Sequence, residues 1–450
     1  MRKTLVSLAA VALALGSLAA CGGGDSGNGG GDATDGSVYF LNFKPEVADV
    51  WTKIAAAYTA ETGTPVKVET AAAGTYETKL ETEMAGNTPP TIFQINGPVG
   101  YASWSDYTAD LTDSWLYKNL SDQGLAIKDD SGVYGIPYAV EAYGIIYNAA
   151  IFNKYIEAGN PAGGITAVTD IKDFATLKAV TEDMQSKKAD LGIDGVFSAT
   201  SLKPGEDWRW QTHLANVPFH FEWTKGNVNL GEGVPAEVKF EYNPNYKDLF
   251  DLYLNNSTVP KEQLGAKTVD ESMAEFASGK TAMVQNGTWG WAQVSGTDGN
   301  VVKPEDVGFL PLYMGIEDDS QGICAGTENF WSINVEASDA DQAASLAFLE
   351  WVLSSDAGKK FVMDDLGFVM PFTSFSADEL PADPLVQSMN ALMTDDALKT
   401  VPWDFTVFPS QAFKDDFGSD LLQYAQGQME WPAVVTNVVA KWKSEAALLQ

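Results

Sequence analysis

Apolar positions along this chain alternate between two repeats, and the changes of repeat mark out short strands and longer helices. Val38-Tyr39-Phe40-Leu41 is an apolar run of strand length, and Asn42-Phe43-Lys44-Pro45 reads as the turn after it. From Glu46 to Thr62 the residues Val47, Val50, Trp51, Ile54 and Tyr58 fall three and four apart, the spacing of one helix face, and Gly63 supplies a stop. Val66-Lys67-Val68 reads as a second strand, residues 75–85 as a polar helix closed by Gly86, and Thr91 to Ile95 as a third strand ending at Asn96-Gly97-Pro98. Strand, helix, strand, helix, strand in so short a span predicts α/β units on a largely parallel sheet. Ligands of such sheets bind beyond the carboxyl ends of the strands. That singles out Asn42, Lys44 and Glu46 after the first strand and Gln94 and Asn96 after the third, each of which is equally suited to a turn or a cap.

Residues 132 to 152 form the least polar stretch of the body, with several glycines, Pro137 and a single charge, Glu141. The run is too long for one ordinary strand, and its glycines and proline argue against one helix. It is read as two extended pieces, about 134–140 and 142–148, joined where the chain passes from one packed body to another. Glu141 then either meets a polar ligand in a cleft or pairs with a lysine or arginine of the core. Farther on, 174–184 and 246–254 read as helices. Between them Asp207-Trp208-Arg209-Trp210-Gln211-Thr212-His213 either lines a pocket or packs a core.

Residues 268–291 carry the clearest local pattern. Thr268-Val269-Asp270-Glu271 is a capping box, Met273, Phe276 and Ala277 supply a buried face, and Gly279 ends the helix. A strand over 281–285 follows, and Asn286-Gly287-Thr288-Trp289-Gly290-Trp291 opens the next helix. A tryptophan just past a strand end, between glycines, offers a flat apolar face of the kind on which sugar C–H groups stack. Each aromatic buries roughly 150–250 Å². Phe330 to Ile333 reads as a strand and Val335 to Leu353 as another α/β helix.

The amino-terminal residues follow a different rule. Arg2 and Lys3 precede an apolar run, Leu5 to Ala20, too short to span a bilayer, and Leu18-Ala19-Ala20-Cys21 matches a lipobox. Residues 1–20 are therefore expected to be a lipoprotein signal peptide. Cys21 would carry thioether-linked diacylglycerol, and the Gly/Asp/Ser/Asn run of 21–36 would be a flexible tether. Without residues 1–20 the chain keeps 26 basic against 61 acidic side chains. That balance argues against nucleic acid, which needs clustered Lys and Arg. Cys21 and Cys324 are the only cysteines, so lipidation of the first leaves no internal disulfide. With only His213 and His220, a metal site or a Ser-His-Asp triad has little material. No cofactor is expected. The 414 residues after the tether are too many for one ordinary core and suggest two domains.

Two segments carry a resemblance. Ala139-Val140-Glu141-Ala142, followed by Ile146-Tyr147-Asn148, looks like the crossover of the family 1 extracellular solute-binding proteins of carbohydrate ABC importers, the maltose-binding-protein-like lipoproteins. Glu275-Phe276-Ala277-Ser278-Gly279-Lys280-Thr281-Ala282-Met283 with Asn286-Gly287-Thr288-Trp289-Gly290-Trp291 resembles the same family's AFxxGxxAMxxNGPWAW stretch. Here Thr288 stands for its proline and Gly290 for its alanine. Gly326-Thr327-Glu328-Asn329-Phe330-Trp331 looks like the family's returning crossing. The resemblance covers essentially the whole body. It implies a two-lobed α/β, periplasmic-binding-protein-like fold of type II, with the ligand cleft between lobes joined by hinge crossovers. By position, Trp289 matches a ring-stacking tryptophan, Glu141 a hydroxyl-binding carboxylate, and Trp431, starting a helix to Trp442, falls near a second stacking tryptophan. Lys44 and Glu46 match a sugar-facing loop, and Asp207, Trp208, Trp210, Glu328 and Asn329 fall in ligand-lining regions. Phe93-Gln94-Ile95-Asn96 lacks the Trp…Asp-Arg arrangement that holds maltose, which argues against maltose itself.

The implied function is a monomeric, non-enzymatic substrate-binding lipoprotein on the outer face of the cell membrane. It would hand an oligosaccharide to an ABC permease whose ATPase is a separate chain, since no Gly-x-x-x-x-Gly-Lys-Ser/Thr loop occurs. Two alternatives stay open. One is a glycoside hydrolase using a pair among Glu141, Asp207 and Glu328; the other is a binding protein for a cation such as a polyamine. The expected lobes are 37–140 plus 305–350 and 145–300 plus 355–450, with hinges near 137–142 and 325–332.

Overall fold

The computed structural model describes residues 36–72, 74–376 and 379–449. The expected signal peptide, Cys21 and all of the tether but Gly36 lie outside the described residues. Among the described residues the strands are β1 (Val38–Asn42), β2 (Val66–Thr70), β3 (Ile92–Asn96), β4 (Ile127–Lys128), β5 (Val133–Pro137), β6 (Glu141–Asn148), β7 (Gly195–Phe197), β8 (Thr281–Gly287), β9 (Val307–Leu310), β10 (Gln321–Gly326), β11 (Asn329–Ile333) and β12 (Lys399–Pro402). They form two sheets, one in the order β2-β1-β3-β11-β5-β4 and one in the order β12-β10-β6-β8-β7 with β9 also on β6.

The first sheet follows from the amino-terminal pattern. β1 pairs in parallel with β2 and β3, and the connecting helices Ala48–Thr62 and Tyr76–Met84 lie between those strands in sequence. Gly63 caps the first helix at φ 81°, a left-handed conformation that a side chain disfavours. One face of the sheet packs Trp51, Tyr138, Trp331 and Phe348 together. Helix Asp339–Ser354 and the chain on to Phe372 cover that same core.

The second sheet is built around β6. β8 runs antiparallel along one edge, with Tyr143 opposite Gly287 and Tyr147 opposite Met283. The other edge is shared: β10 pairs over Glu141–Tyr143, and β9 takes over from Ile145 to Asn148. Gly144 sits where the partners change. A Cβ there would lie 2.6 Å from the Leu310 carbonyl oxygen and 2.8 Å from Ile323 Cδ1, so the junction requires glycine.

This pairing divides the chain differently from the sequence expectation. Residues 307–326, expected with the first body, supply β9 and β10 to the second sheet, because β6 needs hydrogen-bond partners along its free edge. Residues 355–372, expected with the second body, bring Val362, Leu366, Phe368 and Phe372 into the first core. The chain passes between the sheets at Tyr138–Val140, at Thr327–Glu328 and again between Phe372 and Leu385. The passages lie side by side: Tyr138 N donates to Asn329 O at 3.0 Å, and Val140 N to Val369 O at 2.8 Å.

Gly144→Ala should destabilise the protein by about 1–3 kcal/mol, the range for overpacking a core. Urea unfolding checks this; a midpoint equal to the parent's would show that β9 and β10 can part at no cost.

Candidate functional site

The polar half of the site is set by the turn after β1. Asn42 is fully buried and is used up locally: its Oδ1 accepts from Lys44 N at 3.2 Å, and its Nδ2 donates to Lys44 O at 2.8 Å and to Thr70 Oγ1 at 3.1 Å. This holds the Lys44 side chain across the gap to the first residue of β6. Lys44 Nζ lies 3.0 Å from Glu141 Oε1, 2.9 Å from its Oε2 and 3.5 Å from Glu46 Oε1. Burial opposes the charge on Lys44, but Glu141, Glu46 and Glu328 outweigh it and hold the ammonium firmly protonated. Burial also raises the Glu141 carboxyl; Lys44 offsets part of this, and the fields of Glu46 and Glu328 add to it.

Beside this pair, the ends of β3 and β11 carry more amides. Gln94 Oε1 accepts from Phe43 N at 2.7 Å, while its Nε2 is buried without a partner among the described residues. Asn96 Nδ2 donates to Glu328 Oε1 at 2.9 Å. Asn329, opposite Asn96 in the sheet, is 2 % exposed and among the described residues has a partner for neither side-chain atom.

The aromatic half comes from the end of β8, which runs two residues beyond the expected strand. The Trp289 ring folds back over Gly287, where any Cβ would overlap it. Thr288 donates its backbone N–H to Ala142 O at 2.8 Å, a bond the proline expected from the family pattern could not make. These contacts leave Trp289 half-buried with Lys44 Nζ 5.3 Å from its ring centroid. Trp208 lies 6.0 Å from Trp289, and His213 5.6 Å, both by ring centroids. Tyr143, Trp403 and Phe405 complete the cluster around His213.

Trp208 and His213 are positioned by a π-helical turn, Arg209–Leu214. Arg209 is 1 % exposed and among the described residues has no carboxylate partner; burial pushes its guanidinium down to about 10. It is held by neutral oxygens instead. One amino group reaches Gln285 O at 2.9 Å and Ser272 Oγ at 3.3 Å, the other Ser201 Oγ, and Gln285 Nε2 returns a bond to Arg209 O at 2.7 Å. The turn bearing Trp208 is thereby fastened to the strand bearing Trp289.

The structure thus brings together Lys44, Glu46, Glu141 and Trp289, with Trp208 against the last and Asn42, Gln94, Asn96, Glu328 and Asn329 at the adjoining strand ends. It does not bring in Trp210 or Trp431. Trp210 donates to Ser201 O at 2.8 Å and packs on Phe250 and Tyr253. Trp431 donates to Asn243 Oδ1 at 3.0 Å and stacks on Tyr246 in the second core. Asp207 is also turned away, packed against the Gly418 backbone with Oδ1 unpartnered; burial pushes it up to about 6. Sequence reasoning did not select His213, Tyr143, Trp403, Phe405, Phe368 or Asp383 as site residues. The two tryptophans beside His213 were the one local signal for it, while Trp403 and Phe405 arrive from β12 through long-range pairing that no local pattern encodes.

A crevice of about 30 Å³ opens among Glu46, Glu141, Trp289, Phe368 and Asp383. A larger surface groove of about 400 Å³, between helices Gln411–Ala425 and Trp431–Ala446, contains none of these residues. Among the described residues no group of three or more His, Cys, Asp or Glu side chains is arranged to hold a metal ion, and no helix is long and apolar enough to cross a membrane.

Comparison with known proteins places this geometry in context. The family described as bacterial extracellular solute-binding protein matches residues 53–394. The diacetylchitobiose binding protein DasA of Streptomyces coelicolor is 23% identical over 384 residues, 79% of each chain. Among solved structures, a chitin oligosaccharide binding protein superposes with a TM-score of 0.68 at 18% identity, covering 91% of this chain and 99% of its own. RafE in complex with raffinose superposes with a TM-score of 0.69 at 18% identity and the same coverage. These neighbours share the two-lobed, type II periplasmic-binding-protein-like α/β fold.

Lys44→Met should cost about 3–5 kcal/mol of stability by leaving Glu141 buried without its cation, and Lys44→Met/Glu141→Gln should recover most of it. Denaturant midpoints of the three proteins check this; equal losses in single and double variants would mean that the pairing is not what matters. Asp207 gives a pH test. Its folded-state value of about 6 stands above the ordinary 3.8, so the folded chain holds the proton more readily. Its contribution to stability is therefore gained as pH falls from about 6 to about 4 and lost as pH rises. Asp207→Asn should remove that slope and raise stability at pH 7 by about 1–3 kcal/mol. Urea midpoints across that range decide it.

Proposed function

The chain belongs to the bacterial extracellular solute-binding proteins, and from that premise we propose that its solute is an oligosaccharide, held between the two sheets and handed to a membrane permease driven by a separate ATPase. The observation that carries the proposal is the half-buried Trp289 face set beside the Lys44–Glu141–Glu46 cluster. A pyranose presents apolar C–H faces and a rim of hydroxyls, and this pairing of a flat ring with charged donors and acceptors suits both. The relatives named for diacetylchitobiose, chitin oligosaccharide and raffinose support the same class of ligand.

The protein acts by binding, without chemistry on the sugar. Of the three carboxyl groups considered as acid and base, Glu141 is engaged by Lys44, Asp207 is packed against the Gly418 backbone and Glu328 accepts from Asn96. A cationic ligand is disfavoured by the Lys44 ammonium. The chain crosses between the sheets at three neighbouring passages, and sugar entry and release would use them as hinges. At the membrane, a diacylglycerol on Cys21 and the tether of 21–36 keep the monomer on the outer face beside its permease.

Calorimetry against di- to tetrasaccharides tests the assignment; no binding by any of them would overturn it. For the best sugar, Trp289→Ala should weaken binding ten- to a hundredfold, roughly 1.4–2.7 kcal/mol. The ligand-free midpoint should fall less than for Trp210→Ala, a core truncation of about 3–5 kcal/mol. Trp291, which is partly buried against the core cluster that contains Val294 and Phe276, is the control, and its alanine variant should leave affinity nearly unchanged. Affinity retained by Trp289→Ala would remove Trp289 from the site.

A further inference from the structure

His213 is a buried polar residue in a setting that phenylalanine would fill. It is 4 % exposed, its ring lies parallel to Tyr143 with centroids 4.1 Å apart and planes 3° from parallel, and Phe405 and Trp403 flank it at 5.3 and 6.1 Å. Trp208 and Trp289 close the other sides at 5.0 and 5.6 Å. Among the described residues neither ring nitrogen has a hydrogen-bond partner. Nor are the nitrogens among the polar atoms sealed away without one, as the Tyr143 hydroxyl is, so part of the residue's small exposure falls on them. Burial, with Lys414, Lys44 and Arg209 near, holds the imidazole well below its usual range and therefore neutral. A neutral imidazole offers one N–H donor and one acceptor, the same pair that a sugar hydroxyl carries. An aromatic cage that needed only packing would have no use for either.

We propose that His213 is a ligand-contact residue, hydrogen-bonding a hydroxyl of the sugar ring that stacks on Trp289. The proposal rests on the oligosaccharide reading above. It assigns the π-helical turn a purpose: the extra residue per turn sets the imidazole against Tyr143 and toward Trp289 together.

The sign of two effects tests it. His213→Phe keeps the ring contacts and removes an unpartnered buried polar group, so the ligand-free urea midpoint should stay level or rise. Affinity for the best sugar of the di- to tetrasaccharide panel should fall at least tenfold, and His213→Asn, which restores a donor and an acceptor, should regain part of it. Affinity of His213→Phe within twofold of the parent overturns the proposal, as does a lowered midpoint with the asparagine variant equally weak. A measurement on the unaltered protein removes dependence on the variants' folding. His213 and His220 are the only histidines, so the imidazole nitrogen-15 spectrum holds two residues. Saturating sugar should shift the His213 resonances, and their constancy would overturn the proposal. If the parent binds no sugar of the panel, the oligosaccharide reading fails and takes this with it. If the parent binds and His213 is silent in both tests, this inference alone fails.

Discussion

The buried pair of Lys44 and Glu141 is the interaction on which the rest of the arrangement depends. One partner comes from the first turn of the first sheet and the other from the first residue of the second sheet's central strand, so the pair exists only while the two sheets are together. Its energetics suit a joint that opens. A buried ion pair gains Coulomb energy but loses hydration, and the two nearly cancel. Parting the sheets returns both charges to water, so the pair holds the closed form only weakly. What it fixes is register: an unpaired charge in that position is costly, which penalises misaligned closures far more than it rewards the correct one.

Around this pair the structure positions aromatic faces by means that leave the faces free. Trp289 is placed by Gly287 beneath it and by the Thr288 backbone bond to β6, and Trp208 by the Arg209–Gln285 exchange behind it. In each case the hydrogen bonds are made by neighbouring residues, and the tryptophan itself contributes only its ring. This is how a flat surface can be held still without its polar edge being consumed. Arg209 is unusual in being held by a carbonyl and hydroxyls alone. A carboxylate partner would neutralise it, and the positive field it now projects toward His213 helps to keep that imidazole uncharged.

Much of this was legible in the sequence because its determinants are local. The capping box at Thr268 and Glu271 forms as the spacing requires, with Glu271 N donating to Thr268 Oγ1 at 3.1 Å. The two extended pieces read around Glu141 correspond to β5 and β6, with Glu141 itself opening the second, and Trp289 stands past the end of β8 as expected. Trp431 and Trp210 pack in the second core apart from Trp289, and nothing local in the sequence signals it: a tryptophan near a helix start looks the same whether its indole N–H finds Asn243 across the core or a ligand in a cleft. Burial decides that, and burial is not a local property. The allocation of 307–326 failed for a related reason. β9 and β10 join the second sheet through antiparallel pairing with β6, roughly 160 to 180 residues earlier in the chain. Asn329 was chosen by position, and its two unpartnered atoms supply a physical reason to keep it near any polar ligand.

The charge balance closes the argument about what the site can accept. With 61 acidic against 28 basic side chains, cationic side chains are outnumbered about two to one in this protein. One is placed at the sheet crossing, within reach of Glu141, Glu46 and Trp289. A site for polyamines would gather carboxylates around open space and keep cations out. Here one lysine sits among several carboxyl groups and against the Trp289 ring, and its ammonium would repel a second cation brought to that face. A neutral polyhydroxylated ligand disturbs that balance least, because its hydroxyls donate to Glu46 or Glu328 and accept from Lys44 without adding charge.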